Sequence, residues 1–210
     1  MKLKELTAEA YLNSVASDAP APGGGSASAF CGAQGAGLIS MVAGLTLKSR
    51  KCEAYRSAAS AVQAAAQTSA AALTAQIDAD AEAFNLVSAA FRLPKFSEKE
   101  VQIRSGEIQK ASAYAAEVPL RTMELALDAL KAAQPLLDGF NTSAASDLGV
   151  AAPNLRSAAY GAWLNVAINC AGLKDADKAE KLRARGRSIL KEAEALSENL
   201  RRAAEAAIGF

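Results

Sequence analysis

Apolar and polar positions recur along this chain at helical spacing, and nowhere do they alternate with the period of two that a half-buried strand requires. Thr7, followed by Ala8, Glu9 and Ala10, reads as the N-cap of a short first helix that ends near Ala16. The loop from Asp18 through Pro20, Pro22 and Gly23-Gly24-Gly25-Ser26 then breaks the pattern. A second helix, uncharged throughout, is predicted from Ser26 to Leu47, and a third, rich in alanine, from Glu53 to Phe91, closed by Leu93-Pro94. Ser97, with Glu98 and Glu100 behind it, suits the start of a fourth, which meets Pro119 with a kink or a break before Ala133. Asn141 to Leu173 reads as a fifth, with Pro153 a candidate kink, and Lys174-Asp175 opens a charged, amphipathic sixth to Ala207. The expected fold is therefore all-α: a bundle of about six long helices in one domain spanning residues 1–210.

Composition sharpens this picture. The chain has 210 residues, 52 of them alanine, and only 5% are aromatic, so its helices must pack closely through small side chains. It has no histidine, which removes the commonest acid/base of neutral pH and the commonest metal ligand. Any chemistry falls to acids, Lys, Arg, Tyr, Ser, Cys or backbone dipoles. The three cysteines, Cys31, Cys52 and Cys170, are far apart and form no CxxC pair, so neither a zinc site nor a disulfide framework is expected and a reducing cytoplasm fits. A net charge of +1 gives no reason to expect nucleic acid. The first residues lack the apolar core of a signal peptide.

The stretch from Ala27 to Leu47 has the length of a membrane span, no charge, and the basic group Lys48, Arg50, Lys51 at its end. Its Gly, Ala and Ser content and the internal Gln34 make transfer into lipid weak. A helix buried on all sides, in a soluble bundle or in a dimer, is the expectation; a membrane-associated helical protein is the alternative. So much apolar helix surface exceeds what one bundle covers, which points to a homodimer.

Four features carry candidate chemistry. On the third helix Leu73, Ile77, Phe84, Val87 and Phe91 form one apolar stripe, and Asp80 occupies the register position missing from it, whereas Asp78 and Glu82 fall off the stripe and are expected in solvent. Asp80 is either at a widened seam, touching water or an arginine, or a desolvated carboxylate poised for proton transfer or for a cationic substrate. On the fifth helix Asp147, Asn154, Asn165 and Asn169 share a face with Ala151, Ala158 and Ala162. Those amides either fix helix and dimer register or read a heterocycle that offers donors and acceptors. The Pro22-Gly23-Gly24-Gly25-Ser26 loop matches neither a Walker A motif nor GxGxxG after a strand, and is an anion cradle or a plain interhelical turn. Lys48, Arg50 and Lys51 are a solvated helix end or a grip for an anionic tail.

In order along the chain, Pro22-Gly-Gly-Gly-Ser26, Met41-Val42, Leu45-Thr46, Asp78-Ala-Asp-Ala-Glu-Ala-Phe84, Leu93-Pro94, Val118-Pro119-Leu120, Ser146-Asp-Leu-Gly-Val-Ala151 and Asn165-Val-Ala-Ile-Asn169 resemble the formiminotetrahydrofolate cyclodeaminase / methenyltetrahydrofolate cyclohydrolase family. One segment departs from it. Where the family reads Leu-Thr-x-Gly-basic-basic-x-aromatic, this chain has Lys48 at the glycine, Ser49 at the first basic position, Arg50 at the second and Cys52 at the aromatic.

The resemblance implies an all-helical cytoplasmic dimer that acts on a tetrahydrofolate one-carbon derivative, with no metal and no cofactor beyond that folate. It implies either water addition to 5,10-methenyltetrahydrofolate, giving the 10-formyl form, or ammonia loss from the 5-formimino form; the former is placed first because no formimino-supplying domain accompanies this one. In these terms Asp80 is the first candidate for general acid/base and Asp147 the second, or its electrostatic partner. Ser146, Asn165 and Asn169 would read the pterin, while Gly23, Gly24, Gly25 and Ser26 with Arg50 and Lys48 or Lys51 would hold the glutamate carboxylates. A helical folate-binding or interaction protein without chemistry is a further alternative, prompted by the irregular segment around Ser49 and Cys52.

Overall fold

The computed structural model describes residues 2–209. Six α-helices follow one another: α1 (Ala8–Val15), α2 (Gly24–Lys48), α3 (Arg56–Arg92), α4 (Glu98–Ala133), α5 (Ala145–Ala171) and α6 (Ala176–Ile208). Short 3-10 turns occupy Leu3–Glu5, Arg50–Tyr55, Gln134–Asp138 and Thr142–Ala144, and no strand occurs among the described residues. The all-α bundle anticipated from the pattern is the fold observed.

Local chemistry sets the helix ends. Thr7 Oγ1 accepts the Ala10 N–H at 3.2 Å and opens α1. Ser97 and Glu100 form a reciprocal capping box, with Ser97 Oγ taking the Glu100 N–H at 3.3 Å and Glu100 Oε2 taking the Ser97 N–H at 2.9 Å. Asp175 Oδ1 accepts the Lys178 N–H at 2.9 Å and starts α6. Leu93, ahead of Pro94, turns to extended backbone and stops α3. Residues 53–55, expected at the start of α3, belong instead to the 3-10 turn, and α4 runs unbroken through Pro119.

α2 lies between α3 and α5, and small residues allow that closeness. A Cβ on Gly35 would come within 2.8 Å of Leu155 Cγ and 3.1 Å of the Ala151 carbonyl, and one on Gly32 within 3.1 Å of Leu73. Around this seam Ile39, Leu73, Met123, Leu130, Leu148 and Leu155 are fully buried. On the far side, Gly186 of α6 makes room for the ring of Trp163.

One expectation needs correction and another holds only in part within one chain. α2 is the one described helix long and apolar enough to cross a membrane, and a single chain does not enclose it on all sides. One face packs through Ala29, Ala36, Ile39 and Ala43, while Gln34, Met41 and Leu45 on another are exposed. The apolar stripe of α3 likewise holds only in its first half: Leu73 and Ile77 are buried, whereas Phe84 and Phe91 are exposed. α3 is 37 residues long, and beyond Asp80 its buried Ala83 packs with Ala115 and Val118 of α4 while Phe84 and Phe91 stay exposed, so its apolar register outlasts the core that a single chain supplies.

Candidate active site

The N-terminus of α2 has no side-chain cap of its own, because Gly23 stands at the N-cap and Gly24 and Gly25 follow. The orphan N–H groups there need an acceptor from elsewhere. Asp80 of α3 supplies it: Ser26 donates its backbone N–H to Asp80 Oδ2 at 2.8 Å. The Ser26 hydroxyl lies 2.8 Å from the Ile77 carbonyl and 3.1 Å from the same Asp80 oxygen, so its single proton serves either. Only glycine fits at position 25, since a Cβ there would overlap the Asp80 carboxylate. The glycine loop is thus a seat for this carboxylate from within the chain, and the helix dipole favours its negative charge.

Burial nevertheless dominates Asp80. Desolvation pushes its carboxyl above the ordinary range, against the two Ser26 hydrogen bonds that pull it down. No arginine or lysine pairs with it among the described residues. The carboxylate is half-buried and carries no ion pair with an arginine among the described residues.

Tyr11 of α1 borders this acid. Its ring stacks on Phe30 with centroids 4.8 Å apart and 12° between planes, it is 4% exposed, and its hydroxyl has no partner among the described residues. Burial, and then the charge of Asp80, push the phenol up to about 12, so it remains a neutral O–H. Asp78 corrects a further expectation. It is buried, not solvated, and its Oδ1 accepts the Leu3 N–H at 2.6 Å, which ties the N-terminal turn to α3. Glu82 is exposed as expected.

Asn165 of α5 reaches the same end of α2. Its Nδ2 donates to the Gly161 carbonyl one turn back at 2.9 Å, and would stand 3.4 Å from a Cβ on Gly24. Asn169 lies one turn further and donates to the Ala115 carbonyl of α4 at 2.7 Å. Asn154 instead faces Cys31, whose Sγ lies 3.3 Å from the Asn154 carbonyl. One end of the bundle therefore gathers Gly24, Gly25, Ser26, Asp80 and Asn165, with Asn169 behind.

The other candidates lie at the opposite end. Lys48 closes α2, and Arg50 and Lys51 begin the next turn, so about 33 Å of helix separates Lys48 from Ser26. Ser146 and Asp147 open α5 close to them, because Gly35 faces Ala151 and the Asn141 N–H binds Thr46 Oγ1 at 3.0 Å on either side of that level. Asp147 is thereby about 20 Å from Asp80 along α2. Lys48, Arg50, Lys51 and Asp147 have no ion-pair or hydrogen-bond partner among the described residues.

Tyr11 and Asp78 escaped the sequence reading. Nothing in the α1 pattern distinguishes Tyr11 from a core aromatic, and Asp78 is covered by the N-terminal turn, a contact across 75 residues that helical periodicity does not carry.

An acid and two carboxamides thus meet at a glycine-rich helix start within an all-helical bundle. Residues 7–188 match the family described as Formiminotransferase-cyclodeaminase. Methenyltetrahydrofolate cyclohydrolase of Methylorubrum extorquens is 36% identical over 92% of this chain and 93% of its own length. Formimidoyltransferase-cyclodeaminase of Rattus norvegicus is also 36% identical over 91% of this chain, which spans 35% of that longer protein. The crystal structure of formiminotetrahydrofolate cyclodeaminase from Thermotoga maritima shares the fold, with a TM-score of 0.87 over 99% of this chain and all of that one, at 24% identity. The chain belongs to the formiminotransferase-cyclodeaminase family.

Proposed function

We propose that this protein is a methenyltetrahydrofolate cyclohydrolase, a homodimeric cytoplasmic enzyme that converts 5,10-methenyltetrahydrofolate and water to 10-formyltetrahydrofolate. The observation that carries the reading is the Asp80 carboxylate, half-buried, paired with no cation among the described residues and held by Ser26 over a glycine-lined helix start. The similarity to the M. extorquens cyclohydrolase, end to end in both chains, supports the choice of reaction.

The substrate carries a delocalised amidinium cation, and an unpaired carboxylate is its natural counter-charge. Water adds to the methenyl carbon and Asp80 takes one of its protons, leaving a neutral tetrahedral adduct. When the bond from that carbon to N5 breaks, Asp80 returns the proton to N5, the C=O bond forms, and the remaining hydroxyl proton goes to solvent. One proton is released overall, and the formyl group stays on N10. Asn165 would read the pterin edge, as would the atoms of Asn169 not already committed to Ala115, whereas Ser146 lies at the other end of α5. The Gly23 to Ser26 turn would line the folate beside Asp80, whereas Lys48, Arg50, Lys51 and Asp147, at the other end of α2, would not reach that folate from within one chain. Folate and water are the small molecules this chemistry consumes.

A second reading, loss of ammonia from 5-formiminotetrahydrofolate, is favoured by the cyclodeaminase names of the rat and T. maritima relatives. There N10 attacks the formimino carbon, and its proton, passed through Asp80, leaves with the amine. Assaying the purified protein on both substrates decides between them. Methenyl hydrolysis is expected to be faster; faster ammonia release reverses the order, and turnover of neither leaves a folate-binding protein.

A further inference from the structure

The two oxygens of Asp80 are not equivalent. Oδ2 takes both bonds from Ser26, the backbone N–H at 2.8 Å and the hydroxyl at 3.1 Å. Oδ1 takes none among the described residues, yet it is not sealed from solvent. It is also the atom nearest the place where a Cβ on Gly25 would stand. Oδ2 is thus anchored, and Oδ1 is left to meet a ligand.

The Ser26 hydroxyl has one proton and two acceptors of different character. The residue is 0% exposed, so the hydroxyl cannot turn to water. The Ile77 carbonyl, one turn before Asp80 on α3, is neutral and lies at 2.8 Å, closer than the carboxylate oxygen. A charged acceptor makes a hydrogen bond roughly twice as strong, so ionised Asp80 draws the proton, and once Asp80 is neutral the nearer carbonyl holds it. The buried hydroxyl is satisfied either way, and no polar group is orphaned as the charge comes and goes.

We propose that Ser26 is a positioning residue for the proton transfer: its hydroxyl turns from Oδ2 of ionised Asp80 to the Ile77 carbonyl when Asp80 takes a proton on Oδ1, and turns back when that proton leaves. The proposal rests on the reading of Asp80 as the acid/base. The surroundings do not compete for this role. Tyr11 of α1 stays a neutral phenol, α5 brings the uncharged Asn165, α4 packs here through Ala115 and Val118, and Asp78 is turned to the Leu3 N–H. Lys4 lines a small cavity with Tyr11 and Ile77, but only burial and Ser26 act on the Asp80 carboxyl.

The acid limb of kcat/KM, which reports the free enzyme, tests the proposal on the faster of the two substrates. Ser26→Ala keeps the backbone N–H on Oδ2 and removes only the hydroxyl, so the midpoint should rise by about one pH unit. Ser28 carries another buried α2 hydroxyl, bonded to the Gly24 carbonyl at 2.6 Å, and Ser28→Ala should leave the midpoint in place. Carbon-13 resonances in the folate-free protein read the turn itself. In the wild type the Ile77 carbonyl should titrate with the Asp80 carboxyl, and in Ser26→Ala it should no longer follow. An unmoved or lowered midpoint in Ser26→Ala, equal rises in both serine variants, or an Ile77 signal indifferent to Asp80 in the wild type overturns the proposal while leaving Asp80 in place. Full activity of Asp80→Asn overturns the reading of Asp80 instead.

Discussion

The side-chain amide of Asn169 on α5 donates to the carbonyl of Ala115 on α4 at 2.7 Å, and Ala115 is the residue four before Pro119. Proline has no N–H, so that carbonyl loses its intrahelical partner, and α4 stays continuous because α5 replaces it. Asn169→Ala should lower the unfolding free energy by about 1–2 kcal/mol. In a Pro119→Ala background, where residue 119 can bond Ala115 itself, the same change should cost less than half as much. Denaturant titrations of the four proteins measure the coupling, and simple additivity would show that the two residues do not share this bond.

This pair also shows what a sequence can and cannot disclose. The helices were legible because their signals are local: Thr7, Ser97 and Asp175 cap the elements they precede, and Pro94 stops α3 through its neighbour. Asp80 was legible as a polar residue in an apolar register. Its partner Ser26 was not assigned to it, nor Asn169 to Ala115, because those contacts cross 54 residues each and depend on how helices are arranged. The α3 stripe misled beyond Asp80 for the opposite reason. Periodicity reports which face is apolar, and says nothing of whether the cover comes from the same chain.

Gly25→Ala tests the seat of the acid. The added methyl group collides with the Asp80 carboxylate, which must swing away from the Ser26 N–H. Turnover is expected to fall about 100-fold or more, with helix content and melting cooperativity unchanged, as for loss of a general acid/base. Gly24→Ala, whose Cβ would meet only ordinary contact with Asn165, should keep most activity. Equal losses for the two would argue against a specific role for the Asp80 seat.

Tyr11 makes a separate prediction about stability. Its hydroxyl is buried without a partner among the described residues, a situation that costs about 1–3 kcal/mol in desolvation. Tyr11→Phe keeps the stacking on Phe30 and removes the orphan, so the folate-free protein should unfold at a higher denaturant concentration. A lower midpoint would mean that the hydroxyl makes a bond in solution.

The pH dependence of Asp80 has a fixed sign. Burial raises its carboxyl in the folded chain above the ordinary value of about 4 that it has when unfolded. The native state therefore binds more protons than the unfolded one between those two values, and stability falls as pH rises through that window. Above the folded value the cost of keeping Asp80 ionised is complete. Asp80→Asn cannot ionise, yet its side-chain carbonyl still accepts the Ser26 N–H, so the variant should gain on the wild type as pH rises through the window and hold that gain at neutrality. Activity runs the other way, because the base must be ionised to take a proton from water. The wild-type rate should fall on the acid side with a midpoint above the ordinary carboxylate range, while the residual rate of Asp80→Asn lacks that limb. Paired denaturation curves and rate profiles from pH 4 to 8 measure both. Parallel stability profiles for the two proteins would falsify the assignment of this titration to Asp80.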